Sequence, residues 1–174
     1  KAARVEYLPL GVVGVICPWN FPFHNILCPT VPALFAGNAV IAKTSEWTSW
    51  SAADFQAIFD EVLTKAGYSP DLVQIITGGG ETGRALVTSG VEKIFFTGSP
   101  ENGRKVMAAA SETLTPVVLE LGGKDPMIIC DDADMDLAVK ESGDKARNSG
   151  QACSAAKRFI VHNSVRKRFM ERLI

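Results

Sequence analysis

The stretch "VEKIFFTGSPENGRKVMAAASETLTPVVLEL", residues 91–121, decides the fold class. It reads as a strand ("VEKIFFTG"), a helix ("ENGRKVMAAASE") and a second strand ("PVVLEL"). Pro100 suits the first turn of the helix, because its fixed φ is already helical and its missing N–H would have no partner there. A strand, a crossover helix and a second strand form the unit from which parallel sheets are built.

The same alternation continues on both sides of this stretch. Before it come the predicted strands "YLPLGVVGVI", "NAVIAK" and "LVQIIT", with the helices "SWSAADFQAIFDEVLTKAG" and "ETGRALVTSG" and a short apolar helix, "NILCPTVPALFAG", interrupted by prolines. After it come a strand ("DPMIIC"), a helix ("DADMDLAVKESGDKAR"), a strand ("KRFIVH") and a last helix. We predict an α/β fold: a Rossmann-like, mostly parallel sheet with flanking helices, followed by the beginning of a second α/β domain. The glycine pair Gly122–Gly123 permits the change of direction, which gives domains at residues 1–122 and 123–174.

Composition excludes several function classes. The chain has 174 residues and a formal net charge of −1, so no general attraction to nucleic acid or to an anionic membrane is predicted. Its four cysteines form no C-x-x-C pair and have no metal-ligand spacing with the two histidines, which favours a reducing, cytoplasmic compartment and no metal. The chain begins and ends inside structural patterns and is expected to be a piece of a longer protein, so a membrane-anchored parent stays open.

Two glycine-containing turns could bind a nucleotide. Gly78, Gly80 and Gly83 match the dinucleotide pattern G-x-G-x-x-G, although the turn is not in the first strand–helix unit; the alternative is a glycine-rich turn near a cofactor's adenine. Gly98 and Ser99 follow a strand and precede a helix, where backbone N–H groups and a hydroxyl favour phosphate. A capped strand-to-helix turn is the alternative.

An acidic run, "DDADMD", has the spacing of a calcium loop at Asp132, Asp134 and Asp136. The loop would then need glycine where Leu137 stands and glutamate where Gly143 stands. We therefore predict that these aspartates cap a helix.

Four further residues have side chains suited to chemistry. Lys43 and Glu46 follow a buried strand and could bracket a ribose diol, or they could be an exposed turn pair. Asn20 sits in a proline-stiffened loop and could donate to an oxyanion, or it could cap its own turn. Cys153 sits in a small polar loop and could be a nucleophile or a structural thiol.

Taken together, "PWNFP", "AKTSEWT", "FFTGSPENG", "LELGGKDP" and "NSGQAC" resemble the aldehyde dehydrogenase superfamily, whose members use NAD or NADP and a cysteine nucleophile. They stand in that family's order, and the resemblance covers essentially the whole chain. The wording of "YLPLGVVGVICPWNFPFHNIL" and "SETLTPVVLELGGKDPMIICDDADMD" is similar to a eukaryotic branch from plants and fungi. The resemblance implies most of a cofactor domain and the start of a catalytic domain.

The resemblance also implies catalytic roles. Cys153 matches the nucleophile, whose thiolate would attack an aldehyde to give a thiohemiacetal and then a thioester. Asn20 matches the side chain that holds the oxyanion, and Glu120 matches the base that activates water for hydrolysis. Partial burial of Glu120 beside Leu119 and Leu121 would raise its pKa toward the range that a base needs.

The cofactor implied by the resemblance is NAD, because a glutamate at position 46 would repel the 2′-phosphate of NADP. No metal is needed. The implied cofactor-binding residues are Cys17, Pro18, Trp19, Lys43, Glu46, Gly80, Gly98, Ser99, Gly103 and Leu121.

Other functions stay open at this point. The chain could be an inactive or nucleotide-binding-only fragment, or an acylating relative that passes the thioester to coenzyme A. Thr44 stands where the family usually has proline, and the spacing from Glu120 to Cys153 is one residue shorter than is usual there. A small-molecule aldehyde is the implied substrate, and the full-length parent is expected to be a homodimer or homotetramer.

Overall fold

A computed structural model describes residues 3–174, which divide into two compact units. The first unit ends at Leu121, and the second is Gly122–Ile174. The first unit contains β1 (Val12–Ile16), α1 (Pro22–Phe35), β2 (Ala39–Lys43), a 3-10 helix (Glu46–Ser51), α2 (Ala52–Lys65), a 3-10 turn (Pro70–Leu72), β3 (Val73–Ile76), α3 (Gly80–Val87), β4 (Lys93–Thr97), α4 (Pro100–Ser111) and β5 (Val117–Glu120). The second contains β6 (Asp125–Ile129), α5 (Met135–Lys145), a 3-10 segment (Arg147–Gly150), β7 (Ala156–Val161) and α6 (Asn163–Leu173).

The first unit is built on a five-stranded sheet in the order β3-β2-β1-β4-β5, with every neighbouring pair parallel. The predicted α/β fold with a mostly parallel sheet and flanking helices is confirmed. β1 lies at the centre and pairs with β2 on one side and β4 on the other. The chain therefore reverses direction across the sheet between β1 and β4, and open parallel sheets bind ligands at the carboxyl edge of such a point.

Two apolar clusters cover the two faces of this sheet. One joins Val13 and Val15 of β1 to buried residues of α1 and α2, and the other joins Ile16 to buried residues of α3 and α4. Successive side chains of a strand point to opposite faces, so β1 contributes to both cores. Strands buried on both faces explain why β1 reads as a continuous apolar run.

Two details of the first unit differ from the sequence prediction. The first strand begins at Val12, because residues 7–11 are exposed and Gly11 has φ +125°. The prolines do not interrupt α1, which begins at Pro22 and runs through Pro29 and Pro32 to Phe35. Each interior proline removes one helical hydrogen bond. The buried face of α1 against the sheet offsets that cost.

The second unit pairs β6 and β7 in parallel and packs α5 and α6 over a small core. Asp134 begins α5 as its N-cap, and its Oδ1 accepts from the backbone N–H groups of Asp136 (2.9 Å) and Leu137 (3.1 Å). The prediction that this acidic run caps a helix is confirmed. Across residues 3–174, no helix is long and apolar enough to cross a membrane.

Candidate active site

A cleft of about 750 Å³ lies at the carboxyl edge of the five-stranded sheet. Its walls come from the carboxyl ends of β1, β2 and β4, from the segments that follow these strands, and from α3 and α4. Eight of the ten residues that the sequence implies for cofactor binding line it: Cys17, Pro18, Trp19, Lys43, Glu46, Gly80, Gly98 and Ser99.

Cys17 and Lys43 join two walls of the cleft. The backbone N–H of Cys17 donates to the carbonyl oxygen of Lys43 at 3.0 Å, which extends the pairing of β1 and β2 past the end of β1. The Cys17 thiol is buried and donates to the carbonyl oxygen of Asn25 at 3.1 Å. Burial raises its pKa to about 12, against a smaller opposing effect of the Lys43 charge. The Cys17 thiol therefore stays uncharged in the wall of the cleft.

Lys43 is almost completely buried, and its Nζ donates to the carbonyl oxygen of Thr44 at 3.0 Å. Burial lowers the pKa of Lys43, and attraction by Glu46 partly opposes that shift. Its aliphatic stem passes α3: a Cβ placed on Gly83 would lie 3.8 Å from Lys43 Cδ. Glu46 is exposed, so the structure separates a buried ammonium group from an exposed carboxylate.

The turn after β4 is shaped by glycine. A Cβ on Gly98 would lie 2.5 Å from Cζ of the Phe96 ring, so no larger residue fits without a shift. The Gly98 N–H donates to the carbonyl oxygen of Glu120 at 3.0 Å. Ser99 is the N-cap of α4, and its Oγ accepts from the Asn102 N–H at 3.2 Å. The capped-turn alternative is thus present, and it places a helix N-terminus at the cleft, where phosphate is favoured.

Gly103 and Leu121 do not belong to the cleft lining among residues 3–174. A Cβ on Gly103 would lie 2.8 Å from Leu121 Cδ2, so this glycine allows α4 to pack closely against Leu121. Gly103 is buried and Leu121 half-buried. A Cβ on Gly103 would also lie 3.6 Å from Cε1 of Phe96, and Phe96 does line the cleft.

Besides the buried Phe96, sequence reasoning missed three exposed residues of the lining that carry cationic or aromatic side chains. Arg84 of α3 pairs with Glu112 at 2.7 Å, and Lys105 of α4 pairs with Glu101 at 2.8 Å. Trp47 directly follows Glu46 in the 3-10 helix. Their positions in the sequence could have indicated them, because each lies within about one helical turn of a residue that the sequence analysis had already selected.

Glu120 ends β5, and its side chain is exposed. The expected partial burial beside Leu119 and Leu121 is wrong for this chain, because those two side chains contribute to the apolar cluster on the face of the sheet that α3 and α4 cover. Asn20 is half-buried, one residue before the Phe21 N-cap of α1. Both residues belong to the first unit.

Cys153 belongs to the second unit, and its thiol is exposed, as are those of Cys28 and Cys130. The loop that leads to it is unusual. Asn148, Ser149 and Gly150 all have left-handed backbone, with φ of 53°, 55° and 69°. Non-glycine residues adopt this conformation at a cost.

The lysine Lys157 and the segment at Gly123 both approach the backbone of the Cys153 loop. Lys157 Nζ donates to the carbonyl oxygens of Gly150 (2.5 Å) and Ala152 (3.1 Å). On another side, a Cβ on Gly123 would lie 2.9 Å from the Cys153 carbonyl oxygen. The segment after Glu120 therefore touches the backbone of the predicted nucleophile.

The sequence profile of the aldehyde dehydrogenase family matches residues 1–174. The chain belongs to the aldehyde dehydrogenase family. It is 46% identical over 160 residues to a probable betaine aldehyde dehydrogenase of Schizosaccharomyces pombe, covering 90% of this chain and 31% of that one.

Solved structures give the same result. A lactaldehyde dehydrogenase from Escherichia coli is 41% identical with a TM-score of 0.87, over 95% of this chain and 35% of its own. The PnpE protein in complex with nicotinamide adenine dinucleotide is 37% identical with a TM-score of 0.86, over 96% and 34%. The chain thus spans about a third of the length of these relatives. Membership of the plant and fungal branch stays a prediction.

Proposed function

We propose that the protein containing this chain oxidises an aldehyde to a carboxylic acid with NAD. The observation that carries the proposal is the convergence of Lys43, Glu46, Gly98 and Ser99 on one cleft at the carboxyl edge of a parallel sheet. Residues 1–122 would bind the cofactor, and residues 123–174 would begin the catalytic domain.

The cleft fits a dinucleotide. The missing side chain of Gly98 and the N-terminus of α4 suit a pyrophosphate, with Ser99 at the helix start. The exposed Glu46 carboxylate would accept hydrogen bonds from ribose hydroxyls, and it would repel a 2′-phosphate, which favours NAD over NADP. Lys43 lies beside it to complete the ribose contact.

The catalytic steps divide among three side chains. The exposed Cys153 thiolate attacks the aldehyde carbon, and Asn20 with the Cys153 N–H holds the resulting oxyanion. Bound NAD supplies the hydride acceptor that turns the thiohemiacetal into a thioester. Glu120 then takes a proton from water, the hydroxide attacks the thioester carbon, and the thiolate leaves with release of the acid. The approach of Asn20 and Glu120 to Cys153 is part of the proposal.

The test is NADH formation by the protein containing this chain, with NAD and a panel of aldehydes. Cys153→Ser should abolish NADH formation while leaving NAD affinity unchanged. Cys28→Ser, at another exposed cysteine, should leave both unchanged. If no aldehyde gives NADH in protein with reduced Cys153, or if Cys153→Ser stays fully active, the proposal is wrong.

The proposal extends to the oligomeric state and the cellular compartment of the full-length protein. Family resemblance supports a homodimer or homotetramer for the full-length protein, and sedimentation measures its mass. Four free cysteines favour a reducing compartment such as the cytoplasm. Fluorescence imaging of the tagged full-length protein tests that location.

A further inference from the structure

The inference concerns the tryptophans near the cleft. Trp47 lines the cleft and is 76% exposed, whereas Trp50 is 69% exposed and lies outside the lining among residues 3–174. Both side chains belong to the same 3-10 helix. An indole buries 150–250 Å² (roughly) when it is covered, so a largely bare indole inside a ligand cleft offers a large unused contact area.

The backbone under Trp47 is firmly held. Ser45 is buried and caps the 3-10 helix, with its Oγ accepting from the Trp47 N–H at 3.3 Å. Thr48 and Ser51 of the same helix are buried, and Ser51 Oγ donates to the Thr48 carbonyl oxygen at 2.7 Å. The backbone of Trp47 is therefore anchored, and a ligand would have to order only the two side-chain torsions of the indole.

The lining of the same cleft also includes a surface suited to a flat ring. Gly79 and Gly80 also line the cleft, and a Cβ on either would meet nothing within 4 Å among the described residues. A glycine backbone leaves a low surface over which an aromatic group can lie. Glu46, proposed above to bind the ribose that carries a 2′-phosphate in NADP, directly precedes Trp47 in the chain, so the indole is expected near the purine attached to that ribose.

We propose that the Trp47 indole stacks on the adenine ring of the dinucleotide and so selects for the adenosine half of the cofactor. This inference rests on the proposed function, because it names a further contact of the same cleft. Stacking recognises the face of a purine rather than its edge, and it is strongest for a large planar ring. Trp47 is thus a binding residue with no part in the chemical steps.

The experiment compares three variants by calorimetric titration with ADP-ribose and with nicotinamide mononucleotide. Trp47→Leu keeps an apolar side chain but removes the aromatic face, and it should weaken ADP-ribose about tenfold or more. Trp47→Phe keeps a smaller face and should restore most of that loss. Trp50→Leu is the matched control and should bind ADP-ribose like the unsubstituted protein. Nicotinamide mononucleotide, which lacks adenine, should bind all four proteins equally.

Each outcome decides one claim. If Trp47→Leu binds ADP-ribose as tightly as Trp50→Leu does, the stacking inference is overturned while the proposed function stands. A loss shared equally by both ligands also overturns it, because the contact would not be with adenine. If the unsubstituted protein binds neither ADP-ribose nor NAD, both the inference and the proposed function fall. Circular dichroism checks that each variant folds. Because both tryptophans are exposed, their substitution should leave the spectrum unchanged.

Discussion

Gly123 lies against the backbone of Cys153: a Cβ added to Gly123 would come within 2.9 Å of the Cys153 carbonyl oxygen. The two residues are far apart in sequence, and the contact joins the segment after the predicted base to the loop of the predicted nucleophile. By contrast, a Cβ added to Gly122 would meet nothing within 4 Å among residues 3–174. Neither glycine has a left-handed φ, so alanine at either position is compatible with the backbone.

We therefore expect Gly123→Ala to displace the Cys153 loop. A displacement of a reacting atom approaching 1 Å costs about 100-fold in rate, so a loss of tenfold or more in kcat/KM is expected. Gly122→Ala should keep the original rate. The measurement is steady-state NADH formation, with thermal unfolding to show that both variants fold. Equal rates in the two variants would show that the contact has no influence on the nucleophile.

Glu120→Gln should separate the two halves of the reaction. The exposed carboxylate is proposed to deprotonate water, and general bases contribute about 100- to 10,000-fold. Rapid mixing should show a burst of one NADH for each active site, followed by a steady-state rate at least about 100-fold lower. Glu61→Gln, at an exposed carboxylate of α2 that does not line the cleft, should keep both phases. An unchanged steady-state rate in Glu120→Gln would favour transfer of the thioester to coenzyme A instead of hydrolysis.

Lys157→Met should loosen the loop that leads to Cys153. The change keeps the length of the side chain but removes two hydrogen bonds, to the carbonyl oxygens of Gly150 and Ala152. Each such bond contributes about 1 kcal/mol, so we expect the rate of the NADH burst to fall about tenfold while NAD affinity stays constant. Lys140→Met, at an exposed lysine of α5, is the control. A burst rate that does not differ between the two variants would contradict a positioning role for Lys157.

Cys17 should make stability depend on pH in the alkaline range. Its pKa is raised from an ordinary 9.0 to about 12, so the folded state keeps a proton that the unfolded state loses. The stabilisation is complete below pH 9 and is lost as the pH rises toward 12, with a total of about 4 kcal/mol. Cys17→Ser, which does not titrate there, should remove this part of the decline.

Urea unfolding at several pH values measures the effect on the free energy of unfolding. Because lysines and tyrosines also titrate in this range, the comparison is between variants. Cys28→Ser, at an exposed cysteine of α1, should keep the decline of the unsubstituted protein. Identical pH dependence in both serine variants would show that the Cys17 thiol is not the group responsible. In native protein, iodoacetamide should label Cys28, Cys130 and Cys153 but not Cys17.

The alternation of strand-like and helix-like runs in the sequence was sufficient to predict most of the strands and helices. β2 to β5 lie inside the runs predicted for them, because buried strands bounded by glycine, proline and helix starts have clear ends in sequence. β1 was predicted too long, since the apolar residues before Gly11 read like a strand although they are exposed. α1 was predicted to be interrupted, because Pro29 and Pro32 have low helix propensity. The burial of Ile26 and Ala33 against the sheet stabilises the continuous helix, and that packing is not visible in the local sequence.

The site could be predicted less completely than the fold. Sequence could not decide whether Lys43 and Glu46 were an exposed pair or a ligand site, since burial of Lys43 depends on α3 and on β1. It also missed that Thr44, in place of a proline, donates its N–H to the Ile76 carbonyl oxygen at 3.1 Å, which adds a link between β2 and β3. Proline could not make that bond.

By itself, the sequence determined the parallel α/β architecture, the acidic cap of α5 and the strand ends at which the cofactor segments would meet. These follow from the period of apolar residues and from local backbone preferences, which act over a few neighbouring positions. The tertiary structure alone decided which thiols are buried and which exposed, that Trp47 stands bare at the cleft, and that Gly123 touches Cys153. Those properties depend on contacts between segments remote in sequence, because only packing sets the water and the space around each side chain.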